Sequence, residues 1–208
     1  MKRALLILIA AALLLALSAC KTEDPLADAP NPIATITMDD GSEMRFELYY
    51  SAAPNTVGNF IALANQGFYD GLEFFRVVPG VLIQSGDPNN DGTGGTDYTI
   101  RGEFADNGFG KDNPSHMRGT ISMARREGDV NSASSQFFIM QGNYPEYDGQ
   151  YAAFGTALDE ETLSVIDSIA SQPVDGYYVP LKHQVIQTIR VNTHGYELEA
   201  ETIPIDDN

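Results

Sequence analysis

Between residues 33 and 191 the apolar residues of this chain come in short runs broken by Gly, Pro, Asn and Asp. Only two stretches keep a helical period. A core made from such pieces must be closed mostly by strands. "IATITM" and "EMRFELY" alternate in polarity and are joined by "DDGS", a strong hairpin signal. Further strand-like runs follow at 73–78, 81–85, 97–101, 119–124 and 136–140, and "HQVIQTIRV" (183–191) reads as a closing strand. The first helical stretch has Pro54 in its first turn, Val57, Phe60, Ile61 and Ala64 on one face, and Gly67 as its stop. The second spans about 159–171, with Asp159, Glu160 and Glu161 at its start and Leu163, Ile166 and Ile169 inward. Many short strands with two helices predict a closed or nearly closed antiparallel barrel. The roughly 165 residues from 33 to 195 suffice for one core.

The N-terminus obeys a different logic. Lys2 and Arg3 precede "ALLILIAAALLLAL", an apolar run of 14 residues that is too short to span a bilayer comfortably and the right length for a secretory signal core. It ends in "LSAC", which resembles the lipobox of bacterial lipoproteins. That resemblance implies cleavage after residue 19 and lipidation of Cys20, the chain's single cysteine. An ordinary signal peptide with a nearby thiol is the plainer alternative. Residues 1–19 are thus expected to be a signal peptide, and 20–32, polar and holding three prolines, a tether to the outer surface of a bacterial membrane. Losing Lys2 and Arg3 moves the formal net charge from −17 to −19. No basic patch remains for nucleic acid or for electrostatic adhesion to anionic lipid. With one cysteine no internal disulfide can form, and a monomer is the default expectation. Residues 196–208 are acidic and read as a loose tail.

One residue is out of place in this pattern. In "FFRVVPGVLIQSGDP" (74–88) Arg76 stands inside an apolar strand, where a guanidinium is costly without a partner. Strict alternation predicts Phe74, Arg76 and Val78 on one face and Phe75 and Val77 on the other. In "SSQFFIM" it puts Gln136 and Phe138 on one face and Phe137 and Ile139 on the other. Apolar walls with a few placed donors suit an extended peptide. Alternation alone equally permits an arginine that snorkels from the end of a barrel, with Gln84 and Gln136 as ordinary strand residues.

The wording of the segments goes further. "NFIALANQGFYDGLEFFRVVPGVLIQSGDP", "GTGG", "HMRGTISMAR", "NSASSQFFIM" and "YDGQYAAFG" resemble, in order and spacing, the signature blocks of the cyclophilin peptidyl-prolyl isomerases. The resemblance covers residues 33–195, the expected isomerase domain. It implies a mainly β fold, a closed eight-stranded antiparallel barrel capped by two helices, with a peptide groove on its outer face. It also implies isomerisation of X-Pro bonds in proline-containing peptides and unfolded proteins, without cofactor or metal. Residue by residue, the family's catalytic arginine falls on Arg76, the proline pocket on Val81, Leu82, Phe138 and Tyr147, and the groove's glutamines on Gln84 and Gln136. Ala124 and Arg125 match the segment lining the peptide path, and Tyr151 the groove's edge. Phe75 stands where His is usual and is expected to face away from Arg76. Val81 replaces a common Phe, and Tyr147 the usual Leu. Glu146 stands where many members carry the Trp tied to tight cyclosporin binding. The competing function class is a proline-peptide-binding chaperone or scaffold with little turnover.

Two decoys complete the reading. Asp87, Asn89, Asp91 and Gly92 have EF-hand spacing, but the twelfth position is Tyr98 and no helix pair brackets the loop. His116, His183 and His194 lack metal-ligand spacing and are expected as surface or core residues.

Overall fold

The computed structural model describes residues 29–109 and 112–205. Residues 1–28, with Cys20, lie outside that set. The hairpin at the start forms as its alternation dictates: β1 (Ile33–Met38) pairs antiparallel with β2 (Glu43–Leu48), and Ala34, Ile36, Met44, Phe46 and Leu48 point inward, fully buried. The other strands are β3 (Arg76–Val78), β4 (Leu82–Ser85), β5 (Tyr98–Thr99), β6 (Thr120–Met123), β7 (Phe137–Met140), β8 (Ala153–Ala157), β9 (Ile186–Asn192) and β10 (Ile203–Pro204). Eight of them form one antiparallel sheet in the order β3-β4-β7-β6-β8-β2-β1-β9.

That sheet is a half-barrel, not the closed barrel expected. Its end strands β3 and β9 do not pair as a ladder; what joins the two edges is an isolated bridge between Glu73 and Val185 and the backbone bonds of Gly71, Leu72 and Phe74 to Ile186 and Gln184, all before β3 begins. The reason is local. β3 is three residues long, and its free edge is satisfied by a loop instead of a strand, the Val77 N–H donating to the carbonyl of Tyr178 at 2.8 Å. With that N–H already satisfied by the loop, the edge does not offer its donor to β9. The strand expected at 97–101 also takes another place. Its centre, β5, pairs outside the main sheet with β10 from the acidic tail, which is therefore docked and not loose.

The core fills the concave side. Val77, Ile83, Ile139 and Ile121 line up across β3, β4, β7 and β6, each buried. Helix α1 (Pro54–Asn65) packs against β9, and α2 (Glu160–Ala170) against β2. From α1, Phe60 reaches the rings of Tyr69, Phe137 and Phe154, with centroids 5.2–5.5 Å away. The two helices are capped by different means. At α2 Asp159, which the sequence placed with Glu160 and Glu161 at the start of the helix, is the cap, accepting from the N–H of Thr162 at 2.8 Å. At α1 the capping residue is Ala53, which can do nothing with its side chain. Buried Glu103 supplies the cap from 47 residues away, its two carboxylate oxygens accepting from Thr56 N–H at 2.7 Å and Asn55 N–H at 3.1 Å. Pro54 has no N–H to satisfy, so the whole first turn is accounted for.

Candidate active site

Antiparallel register places directly opposed residues on the same face of a sheet. On the convex side this rule gives one row: Arg76 of β3 opposes Gln84 of β4, Gln84 opposes Phe138 of β7, and Phe138 opposes Ser122 of β6. The candidate site is built around that row. Its polar half is a chain of side-chain bonds. Arg76 donates from Nη1 to Gln84 Oε1 at 3.0 Å, and Gln84 donates from Nε2 to Gln136 Oε1 at 3.0 Å. Gln136 ends the chain on the carbonyls of Gly94 (2.8 Å) and Gly92 (3.1 Å). Only one of the guanidinium nitrogens is used in it, which leaves Arg76, half-buried, with donors facing the groove.

The apolar half is a second hydrophobic cluster, separate from the core. Leu82, Phe138 and Met140 are buried in it, and Val78, Val81, Ala124, Tyr144, Tyr147 and Tyr151 pack around them half-covered. All the apolar residues that the sequence assigned to the proline pocket and groove edge are therefore brought together, and Val78, Met140 and Tyr144 join them. Phe138 forms the floor, with Tyr147 and Tyr151 standing edge-on at 6.3 and 5.5 Å between centroids. Arg125 lies over the Tyr151 ring at 4.9 Å and donates to the Gln150 carbonyl at 3.0 Å, which fixes that edge.

A second recess, of about 610 Å³, opens on the other side of Arg76. Phe75, Arg76, Gln84, Ala124, Arg125 and Gln136 line it together with the 91–96 loop. Phe75 is thus on the same recess as Arg76, not turned away from it. Alternation fails because residues 74 and 75 precede the β3 ladder: Phe74 lies in the core, its N–H donating to the Gln184 carbonyl at 2.9 Å, and the regular ladder begins only at Arg76. The 91–96 loop owes its shape to Asp87. This buried carboxylate accepts from the N–H of Asn89 at 2.8 Å and of Asp91 at 3.2 Å, and from that of Gly92. The EF-hand-like spacing is the spacing of a carboxylate that ties down its own loop. A side chain at Gly94 would fall 2.0 Å from Asp87 Oδ1, so the close approach needs glycine.

Sequence reasoning missed His116. Its ring is buried behind the pocket floor, stacked on Phe138 at 5.9 Å with 19° between the planes. Nδ1 meets Asp148 Oδ1 at 2.8 Å and Nε2 meets Ser122 Oγ at 3.0 Å. Burial pushes its pKa down, and the bond and charge of Asp148 offset part of that. At Asp148 burial works upward, but hydrogen bonds from Ser115 and from the His116 backbone and ring prevail and hold the carboxyl below its usual value.

The sign of the linkage follows. A histidine depressed in the fold binds its proton more readily in the unfolded chain, so stability rises with pH in that window. It falls as pH drops from the ordinary value of about 6.5 toward the lower folded value. Exposed His183 is raised by its bond to Glu73 and so acts oppositely, losing its contribution as pH rises. Urea midpoints measured from pH 7.5 to 5 are expected to fall less steeply in His116→Gln than in the unmutated protein; equal slopes would contradict the assignment.

Comparison with known proteins gives the family. The family model described as cyclophilin type peptidyl-prolyl cis-trans isomerase/CLD matches residues 33–191. A peptidyl-prolyl cis-trans isomerase of Synechococcus elongatus is 44% identical over 126 residues, covering 61% of this chain and 81% of the relative. Peptidyl-prolyl cis-trans isomerase B of Bacillus subtilis is 46% identical over 118 residues, covering 57% and 78%. The crystal structure of a Cryptosporidium parvum cyclophilin type peptidyl-prolyl cis-trans isomerase in the presence of the dipeptide Ala-Pro gives a TM-score of 0.67 at 30% identity. It covers 77% of this chain and 98% of that one. With a family match across nearly all of the folded domain, the chain belongs to the cyclophilin-type peptidyl-prolyl cis-trans isomerases.

Proposed function

We propose that this isomerase works outside the cytoplasm, as a monomer held to a bacterial membrane through lipidated Cys20, on X-Pro bonds of unfolded proteins and peptides. The observation that carries the catalytic part of this reading is the single row joining Arg76 to Gln84 beside the Phe138 pocket. Rotation about a peptide bond must break amide resonance, at a cost of about 18–20 kcal/mol. An X-Pro bond left alone turns over in tens to hundreds of seconds. No covalent bond changes, so no nucleophile or general base is needed.

Two physical demands remain, and each half of the row answers one. The apolar cluster of Leu82, Val81, Phe138 and Tyr147 grips the proline ring, so that one half of the bond is held while the other turns. Arg76 donates to the prolyl carbonyl and, as resonance is lost, toward the proline nitrogen, which becomes more basic in the twisted amide. The Gln84–Gln136 chain holds the guanidinium in register, while Ala124, Arg125 and Tyr151 line the path of the peptide. What supports the export part is the sequence: a 14-residue apolar run behind two cations, a small residue before a lone cysteine, and a proline-rich tether. Two acyl chains make anchoring stable, where one is marginal.

The test has two arms. NMR exchange spectroscopy on an Ala-Pro-Phe peptide is expected to show strongly accelerated cis/trans exchange with the domain from Lys21 onward. Binding without acceleration would favour the chaperone reading instead. In a bacterial host that processes lipoproteins, the full chain is expected to incorporate labelled palmitate and to partition into detergent, and Cys20→Ser to do neither. An unlabelled, soluble full chain would refute the anchor.

A further inference from the structure

We infer that the C-terminal strand β10 is part of the substrate-binding surface, and that Ile205 selects the residue flanking the proline. The inference rests on the groove assignment above. It begins with α1, whose sequence is poor for a helix interior: Gly58 is buried within it and Asn55 sits in its first turn. Glycine there costs about 1 kcal/mol relative to alanine. Both choices are explained by the tail. A Cβ at Gly58 would lie 2.5 Å from the Glu199 carbonyl oxygen, so the tail can cross the helix only over a glycine. Asn55 clasps the backbone of Glu201 from both sides, donating from Nδ2 to its carbonyl at 3.0 Å and accepting its N–H. Leu198 packs against the main core before this clasp.

Past the clasp the tail runs as β10 along β5, Ile203 opposite Thr99 and Pro204 opposite Tyr98. The Ile205 N–H then donates to the Asp97 carbonyl at 3.3 Å. This places Ile205 on the wall of the recess that Arg76, Gln84 and Gln136 share. The rest of that wall is mostly hydroxyls, glycines and charged groups; Ile205, Phe75 and Ala124 are its apolar surface. Ile205 is 44% exposed, so it has surface left to cover. A peptide whose proline sits on Phe138 crosses Arg76 into this recess. The side chain that enters meets an apolar wall contributed by the chain's own C-terminus, and an aliphatic residue gains there over glycine.

The test uses proline peptides that differ by Leu or Gly at one position, scanned over the three residues on either side of the proline, with kcat/KM measured for each. At the position that enters the recess the unmutated protein is expected to favour Leu. Ile205→Ser is expected to cut that Leu-to-Gly ratio about four- to fifteenfold, the effect of losing one or two buried methylene contacts. A direct reading accompanies it: magnetisation transfer from the Ile205 methyl groups to the Leu side chain of the bound peptide. Turnover of both peptides with a Leu-to-Gly ratio that Ile205→Ser leaves unchanged at every position overturns the role of the tail and leaves the groove assignment standing. Absence of turnover for any peptide by the unmutated protein overturns both.

Discussion

Arg76→Ala is expected to lower the isomerase kcat/KM by about 10²–10³-fold, the cost of removing one well-aimed donor to a developing charge. A rate gain of about five decades corresponds to roughly 7 kcal/mol, of which one such donor supplies about half. The remainder falls to the pocket that holds the ring and limits the bond to one rotation. The substitution should leave the fold intact. Arg76 sits at the edge of the sheet, and among the described residues its side chain bonds to Gln84, itself still tied to Gln136. Arg76→Lys sharpens the test, because it keeps the charge and loses the planar fork. If electrostatics alone mattered, lysine would restore most of the rate. The expected result is that it restores little, since the twisted amide presents both an oxygen and a nitrogen to the donor. Exchange rates measured by NMR on one Ala-Pro-Phe peptide, with circular dichroism as the fold control, decide it; full activity in Arg76→Ala would end the assignment.

Why that arginine could be singled out at all, and why other features could not, comes down to the range of the interactions involved. Alternation is local, and it correctly divides Gln136 and Phe138 from Phe137 and Ile139. The same rule misplaced Phe74 and Phe75, because alternation presumes a ladder and the β3 ladder begins only at Arg76. Strand β8 carried no signal. Its five residues, AFGTA, are interrupted at their centre by Gly155, because the strand lies between β6 and β2, where a Cβ at that position would come 2.5 Å from the Glu47 carbonyl. Close approach selects against the residues that advertise a strand. The docked tail was hidden for a related reason: acidic composition suggested a solvated end, whereas Gly58 and Asn55, more than 140 residues earlier, hold the reason it docks. Glu103 capping α1 and His116 backing Phe138 likewise depend on contacts between distant segments. The candidate groove residues came from the family resemblance, and the row that joins Arg76, Gln84 and Phe138 became visible only with the register.

Phe137 and Phe138 test that register most directly, because they are neighbours in sequence with opposite tasks. Phe137 is fully buried in the core, edge-on to Phe60 and Tyr69 at 5.5 Å and to Phe74 at 6.2 Å. Truncation there leaves a cavity ringed by aromatic side chains that pack against one another and cannot collapse into it. Phe137→Ala is therefore expected to cost about 3–5 kcal/mol, a lowering of the melting temperature on the order of 10 °C. Phe138 is almost as hidden, yet it belongs to the outer cluster, whose rim of Val81, Tyr147 and Tyr151 is half-exposed and free to settle inward. Phe138→Ala should cost clearly less in stability. On the proposed groove assignment its loss instead removes the floor under the proline ring, and a ring no longer held in place forfeits roughly 10²-fold in kcat/KM. Denaturant titration and peptide exchange on the two variants should thus separate cleanly, stability lost in one and turnover in the other. Equal destabilisation with equal residual activity would mean that the two faces of β7 do not divide the work between core and groove.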